Sequence, residues 1–264
     1  MKRWPLLALL SCAVAPVAAQ QRWLDANPGH AAEVALALAA FDDNITDSPA
    51  ITIAVRGRLA LRDNLAITAE LPGARAEQQA GLSGTAVGNP WVGLQYTPAQ
   101  GMQLELGARL NLWPPTTQRR SLPFGYGQLV DFDRREAWFA NASAVRAVAH
   151  VGRLPSRGRF VTVKAGLAGF AVSGGGGDGE LLAHYGGRAG VVSGRWVTWI
   201  GVIGQGIVTE SDLSIADRTI HQAELAVATH VQGWHVELGL RRFVAEWFGS
   251  SVPIIVQFTV RAAP

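Results

Sequence analysis

The sequence has little cysteine and no long apolar run beyond its first residues, and each shortage excludes a class of protein. Cys12 is the only cysteine in the 264 residues, and it falls in a segment that we expect to be removed. The mature chain would then have no disulfide, no thiol nucleophile and no thiolate metal site. Beyond the N-terminus, no segment reaches the roughly 18 uninterrupted apolar residues of a transmembrane helix, which excludes a helical membrane protein.

Charge is also scarce. Only 16% of the residues are charged, and the net charge of +3 falls to about +1 once Lys2 and Arg3 are removed. The sequence pI of about 9.5 is therefore weak evidence for binding of DNA or RNA, and no basic tail or basic helix supports it. We predict no nucleic-acid partner.

The N-terminus, MKRWPLLALLSCAVAPVAAQ, has the three parts of a secretory signal peptide. A short basic start and an apolar stretch are followed by small residues at Val17 and Ala19. The apolar stretch is shorter than the ~20 residues that a membrane anchor needs. A lipoprotein cut before Cys12 is a further alternative, although the preceding residues fit it poorly. We predict that residues 1–19 are a cleaved signal peptide and that residues 20–264 form one exported barrel domain.

From residue 31 onward, apolar residues alternate with polar ones in segments of about ten, the length that a tilted strand needs to cross a bilayer. The clearest segment is QLELGARLNL at 103–112. A hydrophobic share of 48% and a mean hydropathy of +0.15 are high for a secreted soluble domain but suit a barrel surrounded by lipid. The predicted fold is an all-β, antiparallel transmembrane barrel of about twelve strands. The strands are expected at approximately 33–41, 50–60, 63–72, 88–97, 102–112, 138–150, 159–171, 181–192, 195–208, 219–231, 233–243 and 252–262.

The connections between these strands alternate between short and long. Short links at 61–62, 98–101, 154–158, 193–195 and 232–233 take turns with long links at 42–49, 72–88, 113–137, 173–180, 209–218 and 245–251. Tight periplasmic turns, longer outer loops and an even number of strands are typical of outer-membrane barrels. A soluble sandwich or lipocalin-like barrel has no need for this alternation, and it stays as the alternative fold.

Aromatic residues near the predicted strand ends suggest two interfacial girdles. We expect Trp113, Trp138, Trp247 and Phe248 at the outer rim, and Tyr96, Trp196 and Trp234 close to the inner turns. Ordinary packing of aromatic residues in strands would explain any single one of them. The placement of the whole set favours the girdles.

Residues 88–115, GNPWVGLQYTPAQGMQLELGARLNLWPP, combine Gly-Asn-Pro at the start of a strand, a following strand and a Pro-rich outer loop. In this combination the segment resembles the transporter barrels associated with phenol-degradation gene clusters of Gram-negative bacteria. The resemblance covers about a tenth of the chain. It implies an outer-membrane barrel of about this size that passes small, often apolar molecules. It also implies insertion by barrel-assembly machinery, with Phe258 as the nearest substitute for the usual terminal aromatic residue.

Ten charged residues fall on the polar face of the predicted strands and are the candidates for the lumen. They are Arg56, Arg58, Glu70, Glu105, Arg109, Lys164, Arg188, Glu224, Glu237 and Arg241. In a structural interpretation, these groups pair across neighbouring strands and satisfy one another inside a narrow barrel. In a functional interpretation, they form a charged constriction that selects solutes. Both signs are present, so the pattern is not the one-sign arginine ladder expected of an acidic-sugar channel.

The sequence offers little support for catalysis. Five histidines have serines nearby, but no GxSxG, HExxH or comparable spacing is present, and the GGGG run at 174–177 lacks the Gly-Lys-Ser/Thr of a phosphate loop. We therefore predict no enzymatic activity, no catalytic residue, no metal and no cofactor. A solvated position beside a turn is the ordinary expectation for His230 and His235, which flank residues 232–233. The other histidines of this set are His150, His184 and His221.

The loop at 112–137 contains too many apolar groups for a freely solvated loop, so we expect it to fold inward or to rest on the rim. The predicted function is a passive channel or transporter for small molecules in the outer membrane, with lipid around it. A structural or adhesion barrel with a closed lumen and an outer-membrane lipid hydrolase are the alternatives. The pattern leaves the solute, the oligomeric state and the openness of the lumen undetermined.

Overall fold

The computed structural model describes residues 30–40, 50–78, 82–113, 118–152, 154–172, 179–209, 218–244 and 254–262. These residues form thirteen strands, one α-helix and one 3-10 segment. The strands are β1 Ala31–Ala40, β2 Ala50–Arg62, β3 Leu65–Gln78, β4 Leu82–Val87, β5 Trp91–Ala99, β6 Met102–Arg109, β7 Ala142–Gly152, β8 Gly158–Val172, β9 Leu181–Ser193, β10 Trp196–Ile207, β11 Thr219–Val231, β12 Trp234–Phe243 and β13 Ile254–Ala262. The helix α1 spans Gln118–Val130, and the 3-10 segment spans Phe132–Trp138.

The strands close into an antiparallel barrel. β1 pairs with both β2 and β13, which joins the two ends of the sheet. β3 pairs with β5 along its first half and with β4 along its second half. β4 and β5 therefore occupy one position in the wall, separated by residues 88–90, and the wall has twelve strands. The predicted twelve-stranded antiparallel barrel is confirmed.

The alternation in the sequence sorts the side chains between an outer face and a lumenal face. In β2, Val55 is 51% exposed, whereas Thr52 is 2% exposed. In β6, Leu106 is 55% exposed and Gln103 is buried. Exposed Val, Ile and Leu side chains recur on strands all around the wall. A contiguous apolar surface of this kind exceeds what water-soluble proteins carry and is typical of barrels that face lipid.

The two ends of the barrel have different connections. Residues 63–64, 100–101, 153–157, 194–195 and 232–233 join strands at the short-turn end, which also holds the start of β1 and the end of β13. Gln232 and Gly233 have φ of +50° and +83°, the left-handed conformation that a type I′ hairpin turn requires at both central positions. Tyr96, Trp196 and Trp234 are exposed near these turns, and Trp113 is exposed at the opposite, long-loop end.

The predicted loop at 72–88 is wrong, because most of it is strand. β3 continues to Gln78 and pairs with β4. Pro-Gly at 72–73 is a turn signal in a sequence because proline lacks a backbone N–H. Here Pro72 lies at the point where the partner of β3 changes from β5 to β4. No hydrogen bond to either strand is lost there because proline has no N–H.

The predicted strand at 138–150 begins later, at Ala142, and the rim position of Trp138 is wrong. Trp138 ends the 3-10 segment and is fully buried. Its ring packs edge-on against Phe124, with ring centres 6.0 Å apart. It also lies so close to Gly127 that a Cβ there would be 2.4 Å from the indole. Trp138 therefore packs inside the barrel and does not lie at the membrane interface.

Several predicted features lie outside the described residues. They are the signal peptide at 1–19, the loop at 42–49, the glycine run at 174–177, most of the loop at 209–218, and the loop at 245–251 with Trp247 and Phe248.

The long connection between β6 and β7 folds into the barrel. This is one of the two positions that the sequence predicted for it. We call residues 118–138, which comprise α1, Asp131 and the 3-10 segment, the plug. Apolar residues of the plug, among them Val130 and Phe132, pack against small inward-facing residues of β1 to β3 such as Ala37, Ala50 and Ala76. Alanine at these positions leaves the width that a helix needs inside the mouth of the barrel.

No helix in the described part of the chain has the length and apolar character needed to span a membrane.

Candidate functional site: a charged plug inside the barrel

The structure places all ten candidate lumenal residues on the inward face of the wall. Arg56 and Lys164 are partly buried there, and the other eight are buried. Arg58 and Glu237 lie toward the short-turn end, and most of the others surround the plug. The plug brings four further charged groups into the lumen: Asp131, Asp133, Arg134 and Glu136.

Glu70, on β3, binds one arginine of the wall and one of the plug. Its Oε1 accepts from Arg109 Nη2 at 2.6 Å, and its Oε2 accepts from Arg134 Nε at 2.7 Å. Arg134 also donates to Asp131 Oδ1 at 2.7 Å and has its Nη2 3.8 Å from Glu33 Oε1. All five of these groups are buried. Removing one partner would therefore leave an unpaired charge in a site with little water.

Asp133 joins the plug to the opposite side of the wall. Lys164 Nζ donates to its Oδ1 at 2.5 Å, and Arg241 Nη2 donates to its Oδ2 at 3.2 Å. Arg241 Nε also lies 3.4 Å from Glu224 Oε2. Arg188 donates to both carboxylate oxygens of Glu224. The carboxylate of the plug therefore completes a row of charges that runs along β8, β9, β11 and β12.

Glu136 makes the third charged contact between plug and wall. Its Oε1 accepts from Arg146 Nη1 at 3.2 Å and lies 3.1 Å from His184 Nε2. Burial raises the pKa of Glu136, but its interactions with His184 and Arg146 outweigh burial and hold the pKa well below its usual range. Arg146 is also 3.7 Å from Glu105, which accepts from Arg56 at 2.9 Å.

The wall also bonds the backbone of the plug. Gln205 donates to the carbonyl of Phe132 at 2.7 Å, and Gln222 donates to the carbonyl of Leu129 at 3.4 Å. Together with the charged contacts, these bonds connect the plug to β3 and to each strand from β7 to β12. The plug therefore reaches most of the circumference of the lumen.

The Gly-Asn-Pro sequence at 88–90 holds the end of the plug. The backbone N–H of Asn89 donates to Ala137 O at 2.7 Å, and its side-chain amide donates to Phe139 O at 2.9 Å and Ala142 O at 3.0 Å. Gly88 is needed for this close approach, because a Cβ there would lie 2.6 Å from Ala137 O. The motif that carried the family resemblance is thus a docking point for the plug.

Sequence reasoning missed several lumenal groups besides those of the plug. Arg146 and His150 lie on β7 with Val148 between them on the same inward face, so an apolar residue broke the expected alternation. The usable signal for the plug was the run DFDRREAW at 131–138, in which five charged residues stand among apolar ones. Charges held in an apolar segment need partners, and the predicted lumen was the place that could supply them.

A small polar cavity remains beside the plug. Its volume is about 60 Å³, room for roughly four water molecules at ~10–15 Å³ each. Four arginines and one lysine line it against three carboxylates, so the lining has two more basic groups than carboxylates. These cationic residues are Arg56, Arg109, Arg134, Arg146 and Lys164. Two carboxylates outside the lining, Asp131 and Glu136, bind Arg134 and Arg146. The middle of the lumen is therefore charged and polar rather than apolar.

Toward the short-turn end, one side of the lumen is filled by apolar residues. Phe160, Val192, Val197 and Trp199 pack together there. Arg188 lies over the Trp199 ring, 5.3 Å from its centre, and so connects this cluster to the charged layer. Among the described residues, no three His, Cys, Asp or Glu side chains are arranged to hold a metal ion.

The closed wall, the apolar outer face and the filled lumen define the fold of an outer-membrane β-barrel. No protein-family model matches the sequence, and no curated protein matches it either. Among solved structures, the chain is similar to the COG4313 outer membrane channel from Pseudomonas putida F1, with a TM-score of 0.59 and 13% identity over 96% of this chain and 97% of that one.

Two other solved barrels are also similar. LpxR from Salmonella typhimurium has a TM-score of 0.52 and 8% identity over 89% of this chain and 100% of that one. The translocator domain of the autotransporter NalP from Neisseria meningitidis has a TM-score of 0.51 and 12% identity over 90% of this chain and 88% of that one. At such identities the likeness shows the fold alone. Membership in the transporter family of phenol-degradation clusters is not shown and stays a prediction.

Proposed function

We propose that this protein is an outer-membrane channel for small molecules, and that displacement of the plug opens it. The observation that carries this proposal is the polar way in which the plug is held. Arg134, Asp133 and Glu136 bind wall residues through charged groups on three sides of the lumen. Water can solvate all of these charged groups when the plug leaves, which offsets the loss of their ion pairs.

A permanently closed structural barrel is the second candidate. The apolar contacts of Phe132 and Val130 with the wall favour it, because they resemble ordinary core packing. Buried ion pairs, however, stabilise a fold poorly, and apolar residues of similar volume often do as well or better. A lumen with no path to open would therefore gain little from so many charges. The charged plug argues for the channel.

For the solute, we propose small anions as the preferred class. The cavity beside the plug has two more basic groups than carboxylates, and charged linings set the selectivity of pores. Small neutral aromatic molecules are the second class to test, because residues 88–115 resemble transporters of phenol-degradation clusters. A lipid hydrolase stays the third alternative, and labelled lipids test it on the same purified protein.

We further propose that the chain is exported by the signal peptide at 1–19 and reaches the outer membrane through barrel-assembly machinery. The apolar outer face supports this location, since it needs lipid around it. The protein should fractionate with outer membranes and migrate faster on a mild detergent gel until it is heated, because a closed barrel has no free edge strand. Recovery as a soluble periplasmic protein would contradict the location.

The channel itself is tested by conductance in a planar lipid bilayer. Wild-type protein should show brief openings with a preference for anions. Arg109→Glu should shift this preference toward cations, because it reverses a charge that lines the cavity. Arg159→Glu provides a control outside the cavity lining. If wild type and a plug-deleted protein are both silent although each folds by the gel criterion, the closed barrel is the better account.

A further inference from the structure

His230 and His235 face each other inside the barrel near its short-turn end. They are directly opposite in the register of β11 and β12, on either side of the turn at 232–233. Their ring centres are 5.0 Å apart, with the rings inclined at 60°. Neither residue contacts the plug through any of the charged pairs described above, so this pair is separate from the proposed gate.

Three of the four ring nitrogens of this pair are buried without hydrogen bonds. His235 is 5% exposed, and both its Nδ1 and its Nε2 lack a partner. His230 Nδ1 also lacks one. Buried polar atoms almost always have a hydrogen-bond partner, because leaving them unsatisfied costs about 1–3 kcal/mol each. Three such atoms on two facing rings leave each imidazole with a nitrogen available to bind a ligand.

The spacing of the rings suits a metal ion. Two imidazoles that bind one tetrahedral ion, each with a nitrogen about 2.0–2.1 Å from it, have ring centres about 5 Å apart. Neutral imidazole is a preferred ligand of zinc, copper and nickel ions. Glu237 Oε2 lies 3.7 Å from His235 Nε2 and adds a negative charge beside the pair. The nearby Arg261 donates to Glu33 at 2.6 Å, which offsets its positive charge.

We propose that His230 and His235 form a binding site for a transition-metal dication of the zinc and copper class, with water in the remaining coordination positions. The carboxylate of Glu237 is placed to accept a hydrogen bond from a metal-bound water. The bound ion joins two neighbouring strands at the short-turn end and narrows the lumen there. Metal binding at this site requires neither conduction nor a particular solute.

The test uses the untagged mature protein in detergent, titrated with ZnCl₂ by calorimetry. Wild type should bind about one Zn²⁺, and His230→Gln and His235→Gln should each lower the affinity by about tenfold or more, because each removes one of two ligands. His221→Gln is the matched control. It changes a histidine of the same strand that instead bonds Tyr185 on the outer face, at 2.6 Å, and it should leave Zn²⁺ binding unchanged.

Electron paramagnetic resonance with Cu²⁺ supplies a second measurement that is independent of the affinity. The wild-type spectrum should carry the signature of two nitrogen ligands, and either single variant should carry that of one. The proposal is overturned if wild type binds no Zn²⁺, if both variants bind as wild type does, or if only one of the two histidines matters. The mild detergent gel shows in each case that the barrel is folded.

Discussion

Arg134 is the residue whose replacement should release the plug most directly. Its guanidinium binds Glu70 and Asp131 at 2.7 Å each and lies 3.8 Å from Glu33, and it is 5% exposed. Arg134→Met introduces an apolar side chain of similar length and removes the charge. The carboxylates around it would lose a shared cation inside the lumen, and that loss is relieved when the plug leaves and water enters.

The magnitude follows from the cost of breaking a buried ion pair, which is about 3–5 kcal/mol. Glu70 retains Arg109 and Glu33 retains Arg261, so we take the lower end of this range, about 3 kcal/mol. Because about 1.4 kcal/mol corresponds to a tenfold change in an equilibrium constant, the ratio of open to closed channels should rise by about 100-fold. Barrel stability should change little, since the strands draw it from the closed ladder.

The assay is the open probability of single channels in a planar bilayer, with the detergent gel as the folding check. Arg135→Met is the matched control, because Arg135 is the next residue of the same 3-10 segment and stacks on Phe139 at 5.6 Å rather than pairing across the lumen. Arg135→Met should change the ratio of open to closed channels by less than about tenfold, because a charge that is only weakly coupled to its neighbours contributes less than about 1 kcal/mol. Equal open probabilities in the two folded variants would refute the argument that the Arg134 contacts hold the gate.

Three further predictions concern the wall, the helix and pH. Leu106→Arg should destabilise the barrel in lipid by roughly 2–4 kcal/mol if Leu106 lies near the bilayer midplane, and Gln103→Arg should destabilise it less. Equal free energies of unfolding for the two variants would mean that the outer face does not contact lipid. Deletion of residues 114–128 removes most of α1 and should raise conductance while heat-modifiable migration is kept; unchanged conductance would mean that α1 does not limit the path. Glu136 has a lowered pKa in the seated plug, so its contribution is fully present above the ordinary glutamate pKa of about 4.3 and falls as the pH drops below it. Openings should therefore increase below about pH 4, and Glu136→Gln should flatten this rise; an identical pH profile in the variant would exclude Glu136 as a contributor.

Local patterns in the sequence were enough to predict the barrel and most of its inward face. A two-residue period is a local property, so the alternation around Leu106 and Gln103 assigned their faces before any partner strand was known. It also placed the ten candidate charges toward the lumen, including Arg109 and Glu70. The turn at 232–233 set the register of its hairpin, because a two-residue loop leaves one pairing for the strands on either side.

The pairing of the charges and the contents of the lumen could not be predicted from local patterns. Arg134 binds Glu70 across 64 positions of the chain, and Asp133 meets Arg241 across 108. Such contacts depend on how the closed wall brings distant strands around one space, which no local period records. The same closure buried Trp138 and His235, because burial depends on neighbours that other parts of the chain supply.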